Sequence, residues 1–339
     1  QDRWHYLHLH EHHCGMTAEA WDKVARSADV FLNVSGASMF PDNLNPRCIK
    51  VFLDTDPGYN QIVMATRPAW SENVDRWVQQ VRQHDRHLTY AENLYGEDCI
   101  LPRLEIDWRP TRCVVTMNPW EQLRQFPPPA DAPFTTVMTW TYFKGPLIFN
   151  GVQYGAKAPE YDKFHDLPKR VKVPLALAVS GHTQPAEQIK ADGWIQVDAK
   201  SASLTPQNYV DFIRDSAGEW SVAKNCYVAT RSGWFSCRTA CYLAAGRPAV
   251  VQETGWSRFL PSGEGLIAFS TMQEAIDGLH RVSDDPHRHR NAAWEIAREY
   301  LAPDRVLPPM LEAIYAPSPH PRQLPPAWAS DLPARSAGQ

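Results

Sequence analysis

The sequence has no long apolar run and no excess of charge of one sign. No stretch of eighteen apolar residues occurs in its 339 residues, and no secretory signal peptide is recognisable, so no membrane-spanning segment is predicted. The net charge is -4, with acidic and basic residues interspersed, which argues against a dedicated nucleic-acid binder. The length suggests two domains, each large enough to bury its own core.

The sequence also has no paired-cysteine motif. Its seven cysteines form neither a CxxC pair nor a disulfide ladder, which predicts a reducing, cytoplasmic location. Cys237 and Cys241 lie one helical turn apart, where two buried thiols are the simplest interpretation.

A metal motif is missing as well. Histidines are frequent near the start of the chain, but HExxH fails around Glu11, because Cys14 stands where the second histidine would be. Two interpretations of this cluster are open, a metal site and a solvated loop or strand. We predict that it binds no metal. Its members are His5, His8, His10, His12 and His13.

The most informative stretch runs from residue 218 to residue 255. We predict a strand around Tyr227–Ala229, a turn at residues 231–233, and a helix that opens at the N-cap Ser236. Gly246, with Pro248 just beyond it, ends that helix. A strand over residues 249–253 then ends in a polar loop.

A helix that directly follows a strand points its free N–H groups out of the carboxyl edge of the sheet, where phosphates bind in open α/β folds. Arg231 and Arg238 flank this helix start. The alternative is an ordinary strand-helix turn with two solvated arginines, since the spacing matches no P-loop and no dinucleotide glycine fingerprint.

Two earlier strands also end in polar, turn-forming loops. The first ends at Ser35 and Gly36, and the second at Asp54 and Asp56, which places these residues along one sheet edge. A carboxylate there could act as general base toward an acceptor hydroxyl. The alternative is that both aspartates only cap the turn.

The alternation of strands and helices predicts two Rossmann-like domains. The basic run that begins at Lys169 is predicted to be their junction, and the first domain is expected to lack the initial βα units of such a fold. Thirteen tryptophans are compatible with sugar stacking, although most tryptophans in a chain of this size are core residues. The predicted divisions are residues 1–168, residues 169–301, a C-terminal helix over 302–315, and a proline-rich disordered tail over 316–339.

The second half resembles the donor domain of a GT-B glycosyltransferase, in which two Rossmann-like domains face a cleft. The resemblance rests on the strand and loop ending VSGH, on SGWFSCRTACYLAAGRPAVVQETG, and on GEGLIAF followed by TMQEAIDGLHRV. A group of uncharacterised bacterial glycosyltransferase-like proteins shows a similar GWFS…YLAAGRP…TG signature. The likeness covers most of residues 25–312 and is strongest after Pro174.

This resemblance implies a metal-independent enzyme that needs no cofactor and transfers a sugar from a nucleotide-diphosphate donor to an acceptor hydroxyl. Asp54 and Asp56 are the catalytic candidates. The implied donor-binding residues are Gly181, His182, Lys224, Arg231, Ser232, Gly233, Trp234, Phe235, Ser236, Arg238, Glu253, Thr254 and Gly255.

The sequence departs from the large retaining family of this fold, which carries two acids eight positions apart around the helix. The aligned positions here are Gly233 and Cys241. Two other functions stay open at this point: a noncatalytic nucleotide- or glycan-binding module, which includes a truncated gene product, and a nucleotide-sugar epimerase.

Overall fold

The computed structural model describes residues 4–8, 12–140, 145–181 and 184–317, and within them the side chains of residues 7, 8, 12 and 13 are not described. The predicted donor residue His182 and nearly all of the predicted tail lie outside these ranges. The strands of the described chain are β1 (His5–His8), β2 (His12–Gly15), β3 (Val30–Val34), β4 (Ile49–Asp54), β5 (Arg86–Thr89), β6 (Trp108–Pro110), β7 (Phe134–Thr139), β8 (Leu147–Phe149), β9 (Val152–Tyr154), β10 (Leu175–Ser180), β11 (Ile195–Asp198), β12 (Gly218–Ser221), β13 (Ala249–Gln252) and β14 (Leu266–Phe269).

The helices cover the two large sheets. They are α1 (Ala18–Ser27), α2 (Tyr59–Thr66), α3 (Val74–Arg82), α4 (Asn118–Glu121), α5 (Ala158–Tyr161), α6 (Ala186–Ala191), α7 (Ala199–Ser203), α8 (Pro206–Arg214), α9 (Asn225–Ala229), α10 (Cys237–Ala244), α11 (Met272–Asp284), α12 (Pro286–Ile296) and α13 (Pro303–Tyr315). Short 3-10 turns occupy Gln122–Gln125, Leu167–Lys169 and Trp256–Arg258, and a π-helical turn at Ala297–Leu301 joins α12 to α13.

The first large sheet has four parallel strands in the order β3-β4-β5-β6. Its central strand β4 is buried from Val51 onward, as expected for a strand covered on both faces. Phe52 packs with Val78 and Val81 of α3 and with Trp108 of β6 in one apolar cluster. This sheet therefore has its own core, although strands β1 and β2 form a separate antiparallel hairpin.

The second large sheet has six parallel strands in the order β11-β10-β7-β12-β13-β14. Numbered within the sheet, this is the 3-2-1-4-5-6 order of a doubly wound Rossmann fold. The order reverses between β7 and β12, so loops after these two strands diverge and leave a crevice at the carboxyl edge. That crevice is where the fold positions a ligand.

Strand β7 corrects the domain division made from the sequence. Residues 134–139 pair with β10 on one side and with β12 on the other, at the centre of the second sheet, and not with the first sheet. The basic run after Leu167 therefore lies inside the second domain and is not the junction. The strand pattern alone could not reveal this, because buried parallel strands of both sheets carry the same apolar signal.

The stretch from residue 218 to residue 255 is partly as predicted. Residues 227–229 form the end of helix α9 and not a strand. The strand of this stretch lies earlier, at Gly218–Ser221. The Ser236 side chain caps α10 by accepting a hydrogen bond from the N–H of Arg238 at 3.2 Å. Gly246, with φ of +64°, follows the helix end as predicted.

The two sheets share one apolar cluster. Val51 and Leu88 of the first sheet belong to the same cluster as Leu243 of α10 and Met310 of α13. Helix α13 returns to the first sheet, where the Arg86 side chain donates to the carbonyl of Ile314 at 3.0 Å. No helix in the described ranges is long and apolar enough to cross a membrane.

Candidate functional site

Two lysines come from the two loops that border the crevice. Lys157 lies in the connection after β7, directly before α5, and Lys224 follows β12 directly before α9. The two connections touch, since the N–H of Asn225 donates to the carbonyl of Ala156 at 2.8 Å. The crevice between β7 and β12 is thus bordered by cations from both sides.

Lys157 is buried without a counter-ion among the residues that the structure describes. Its residue is only 8 % exposed, and within the described ranges its amine makes no ion pair and no hydrogen bond. Burial lowers the pKa of Lys157 well below its usual range, nearby Arg238 and Lys224 act in the same direction, and Glu219 opposes them. A buried cation without a partner destabilises a fold, so this position suits an anion that the protein binds.

Lys224 is held by the first domain. Its amine pairs with a carboxylate oxygen of Asp56, which lies just beyond β4, and the hydroxyl of Tyr227 donates to that same oxygen. The Asp56 side chain is 34 % exposed, so it faces the cleft and is not sealed in the core. This ion pair joins the carboxyl edges of the two sheets.

Asp54 is fully buried, unlike Asp56. Its carboxylate accepts hydrogen bonds from the side chains of Asn60, Gln61 and Thr89 at 2.6–2.7 Å, and from the N–H of Asp56 at 3.1 Å. Burial raises the pKa of Asp54, while these hydrogen bonds oppose the rise. Asp54 has no exposed surface in this structure and organises the turn after β4, while its expected role as base stays a prediction.

Arg238 is not free for a ligand. Its guanidinium donates to the carboxylate of Glu219 at 2.5 Å, to the hydroxyl of Ser221 and to the carbonyl of Val137, each of the latter at 2.9 Å. Burial alone would lower the pKa of Arg238, but Glu219 more than compensates and the pKa is raised. Arg238 therefore ties α10 to β7 and β12, and its expected contact with the diphosphate stays a prediction.

Arg231 also has a partner elsewhere. Its guanidinium pairs with Asp98 of the first domain at 3.1 Å, and Arg258 pairs with the same aspartate at 2.7 Å. The side chain of Asn93, beside them, donates to the Arg231 carbonyl at 2.7 Å. Arg231 thus anchors the turn before α10 to the first domain and does not flank the helix start as an unpaired cation.

The turn before α10 and the loop after β13 lie in direct contact, as their shared sheet edge predicts. The N–H of Gly233 donates to the carbonyl of Thr254 at 2.7 Å, and the Thr254 hydroxyl donates to the carbonyl of Trp234 at 2.6 Å. Ser232 is buried, and its hydroxyl accepts from the N–H of Trp234 at 3.2 Å. The Trp234 indole donates across the cleft to the carbonyl of Thr55 at 3.2 Å.

The remaining donor candidates differ in accessibility. Phe235 is buried, and its ring meets Trp256 edge-on. Glu253 is buried and accepts a hydrogen bond from the N–H of Gly255, so its carboxylate shapes its own loop. Gly181 is exposed at the end of β10, on the far side of β7 from β12. Residues 232–236 and 253–255 are therefore brought together, while Gly181 lies apart from them.

The histidine cluster can be followed only in part. Among its members only the side chain of His5 is described, and it stacks on Trp21 with ring centroids 5.3 Å apart. Within the described residues no group of three metal-binding side chains is found.

Sequence reasoning missed Lys157, Glu219 and Tyr227. The lysine directly before the Ala-Pro-Glu start of α5 is visible in the sequence. It can be assigned to the crevice only once β7 is known to lie in the second sheet. Glu219 lies inside the central strand β12, and a charge within a buried strand indicates a buried partner.

The fold matches solved glycosyltransferase structures. An α-glucosyltransferase solved with UDP-glucose and DNA containing an abasic site superposes with a TM-score of 0.56 at 11% identity, covering 88% of this chain and 83% of that one. The apo structure of OtsA gives 0.53 at 11% identity, with 90% and 80% covered. A structure described as trehalose-6-phosphate from E. coli bound with UDP-2-fluoro glucose gives 0.54 at 10% identity, with 88% and 76% covered.

These similarities confirm the predicted fold class, an α/β protein with two parallel sheets in the GT-B arrangement. No family model matches the chain, and no curated protein sequence matches it. The GWFS signature therefore stays a resemblance, and the chain is described by its fold.

Proposed function

We propose that this protein transfers a sugar from a nucleotide-diphosphate sugar to the hydroxyl group of an acceptor. The observation that carries the proposal is the buried amine of Lys157, which has no anionic partner among the described residues. It lies at the crevice where a doubly wound sheet binds its ligand. The GT-B fold is consistent with this, since the structural neighbours include proteins solved with UDP-sugars.

In this proposal the diphosphate lies between Lys157 and Lys224, next to the start of α10. The first N–H groups of α10 have no carbonyl partner inside the helix and carry its positive dipole end. Negative charge grows on the diphosphate as the sugar leaves, and fixed cations in a dry site stabilise that charge. Arg238 contributes indirectly by fixing the helix to the sheet.

Asp56 is the carboxylate that we propose for the acceptor side. It is partly exposed and belongs to the opposite sheet, so it faces the crevice across the cleft. A bound diphosphate would compete for Lys224 and release the Asp56 carboxylate toward an acceptor hydroxyl, where it can act as general base. The sugar would then lie by the loop of Glu253, Thr254 and Gly255, which touches the turn before α10.

Isothermal titration with UDP, dTDP, GDP and ADP, in the presence of EDTA, tests the proposal. We expect one of them to bind without a metal ion. The variant Lys157→Met removes the charge with little change in volume, and we expect it to lose about tenfold to hundredfold in affinity. Lys172→Met is the matched control, because Lys172 is exposed and lies outside both crevice loops.

Absence of binding by all four nucleotides, in a protein shown to be folded by circular dichroism, would contradict the proposal. Equal affinities of Lys157→Met and Lys172→Met would also contradict it. Once the nucleotide that binds is identified, the corresponding nucleotide-diphosphate sugar, such as UDP-glucose for UDP, can be incubated with the protein. Release of the nucleotide diphosphate only when an acceptor is added distinguishes a transferase from a noncatalytic module.

A further inference from the structure

A cavity of about 370 Å³ lies where the first sheet meets the C-terminal helices. One wall carries Glu92 and Arg112, which follow the ends of the neighbouring strands β5 and β6, and the other wall belongs to the π-helical turn and α13. The N–H of Val115 donates to the carbonyl of Leu301 at 2.9 Å and joins the two walls. None of the described residues that line this cavity belongs to the crevice loops, so it is a separate site.

Glu92 has a carboxylate oxygen without a hydrogen-bond donor. Its side chain is only 9 % exposed, and its Oε1 accepts from Nε and Nη2 of Arg112 at 3.0 and 2.5 Å. The other oxygen, Oε2, is shielded from solvent and has no partner among the described residues. Burial raises the pKa of Glu92, and Arg112 opposes the rise. A buried acceptor without a donor costs free energy, so this oxygen suits a ligand group that donates.

The geometry of a glutamate side chain lets Oε2 meet such a donor. Glu92 lines the cavity, and the terminal torsion of a glutamate is broad, so the carboxylate can turn Oε2 toward the cavity while Oε1 keeps its contact with Arg112.

Helix α13 supplies a second acceptor that the helix itself does not satisfy. Pro309 lies inside α13 and has no N–H, so the carbonyl of Arg305 lacks the donor that an α-helix normally provides four residues further on. Arg305 and Pro309 both line the cavity. Together with Oε2 of Glu92, this carbonyl favours a ligand that has more than one hydrogen-bond donor.

The charges around the cavity cancel. Glu92 pairs with Arg112 at 2.5 Å, and Glu299 pairs with Arg305 at 3.3 Å. A charged ligand would therefore find no unpaired counter-ion among the described residues that line the cavity. The apolar part of the lining consists of Pro110, Val306, Pro309, Met310 and Ala313. Tyr300 adds an aromatic ring that is 39 % exposed.

We propose that this cavity binds a saccharide. A sugar ring is neutral, its hydroxyls can donate to Oε2 of Glu92 and to the carbonyl of Arg305, and its apolar face can pack on Tyr300 and the proline rings. The volume falls within the range of about 300–1,000 Å³ that is typical of small-molecule sites. This inference does not rest on the proposed transfer of a sugar, because it uses none of the crevice residues.

The test uses the full chain without any nucleotide. Isothermal titration is carried out with glucose, galactose, mannose, N-acetylglucosamine and maltose, and with putrescine, a diamine that could also donate to Glu92. We expect at least one of the sugars to bind and putrescine not to bind. Binding of putrescine alone would overturn the assignment to a saccharide, and binding of none of the six would overturn the site. Because no nucleotide is present, a failure of the diphosphate titrations leaves these outcomes unaffected.

Variants locate the bound sugar. Glu92→Gln keeps the size of the side chain but replaces one carboxylate oxygen by an NH₂ donor, so we expect affinity for the sugar to fall by about tenfold or more. The matched control Glu121→Gln changes an exposed residue of α4 that does not line the cavity, and its affinity should stay within about twofold of the parent. Circular dichroism checks that each variant is folded.

A second variant blocks the cavity without changing Glu92. Ala313→Phe places a ring in the cavity from α13 and should abolish sugar binding, which keeps the proposal testable if Glu92→Gln does not fold. Sugar binding that is unchanged in a folded Glu92→Gln or Ala313→Phe protein would place the sugar elsewhere and refute the proposal.

Discussion

Asp56 and Lys224 form an ion pair that joins the two parallel sheets across the cleft. The carboxylate lies two residues beyond the end of β4, and the amine lies between β12 and α9. The Tyr227 hydroxyl donates to the same carboxylate oxygen. The pair sits near the buried Lys157, which has no ion-pair partner in the described part of the chain, and Lys224 is one of the charges that act on that amine. One crevice thus contains a cation that has a partner and a second cation that has none within the described ranges.

Asp56→Asn should strengthen the binding of nucleotide diphosphate. The asparagine keeps a hydrogen-bond acceptor for Tyr227 but removes the charge that competes for Lys224, so we expect affinity to rise by about threefold to tenfold. Titration calorimetry of the variant and the parent at low and high salt measures this. Weaker binding by the variant would show that the carboxylate does not compete with the ligand.

Lys157→Met should stabilise the ligand-free protein. The parent keeps an amine buried without a partner among the described residues, and an apolar side chain of similar length removes its desolvation penalty. We expect an increase of about 1–3 kcal/mol in the free energy of unfolding at neutral pH, measured by urea denaturation. A variant that is less stable than the parent would mean that Lys157 has a structural partner.

The pH dependence of the same variant gives a second measurement. Because the folded-state pKa of Lys157 is lowered, the unfolded chain holds the proton more tightly. The parent should therefore gain stability as pH rises from that lowered pKa toward the unfolded value of about 10.4. The gain should be smaller in Lys157→Met. A bound diphosphate favours the charged amine, so nucleotide binding in that pH range should take up a proton. The uptake is measured as a binding enthalpy that changes with the ionisation enthalpy of the buffer.

Gly233→Ala should destabilise the turn before α10 more than Gly151→Ala destabilises its hairpin. Both glycines have positive φ, +79° and +76°, but a Cβ at Gly233 would lie 2.4 Å from the backbone nitrogen of Asn93, and one at Gly151 would meet nothing within 4 Å. We expect the free energy of unfolding to fall by about 1 kcal/mol in Gly151→Ala, and to fall by at least about 2 kcal/mol more than that in Gly233→Ala. Equal losses in urea denaturation would show that Asn93 moves aside freely.

His87 should make the protein sensitive to acid. Burial lowers its pKa to about 4, and its ring nitrogen donates to the carbonyl of Val81 at 2.8 Å. The unfolded chain takes up a proton below about pH 6.5, so stability is lost as pH falls from there to 4, by up to about 3 kcal/mol. His87→Leu should flatten this loss, and the exposed control His287→Leu should not. Unfolding free energies at pH 7.5 and pH 4.5 measure the difference.

Local features of the second domain were predictable because they depend on residues close in sequence. Ser236 caps α10 through an N–H two residues away, and Thr271 and Glu274 cap α11 by reciprocal hydrogen bonds three residues apart. Gly246 follows the end of α10 with the positive φ that glycine adopts at low energy. The contact of the turn before α10 with the loop after β13 follows from two strands that end at one sheet edge.

Only the tertiary structure decided which sheet β7 joins and which charged groups remain without partners. Apolar parallel strands look alike in sequence, so residues 134–139 gave no sign that they form the centre of the second sheet. Arg238 and Lys157 are both single cations in the sequence. Glu219 neutralises Arg238 because β12 lies next to α10, while no described carboxylate reaches the Lys157 amine. Such pairing depends on distances between distant segments, and the sequence determines those distances only through the complete fold.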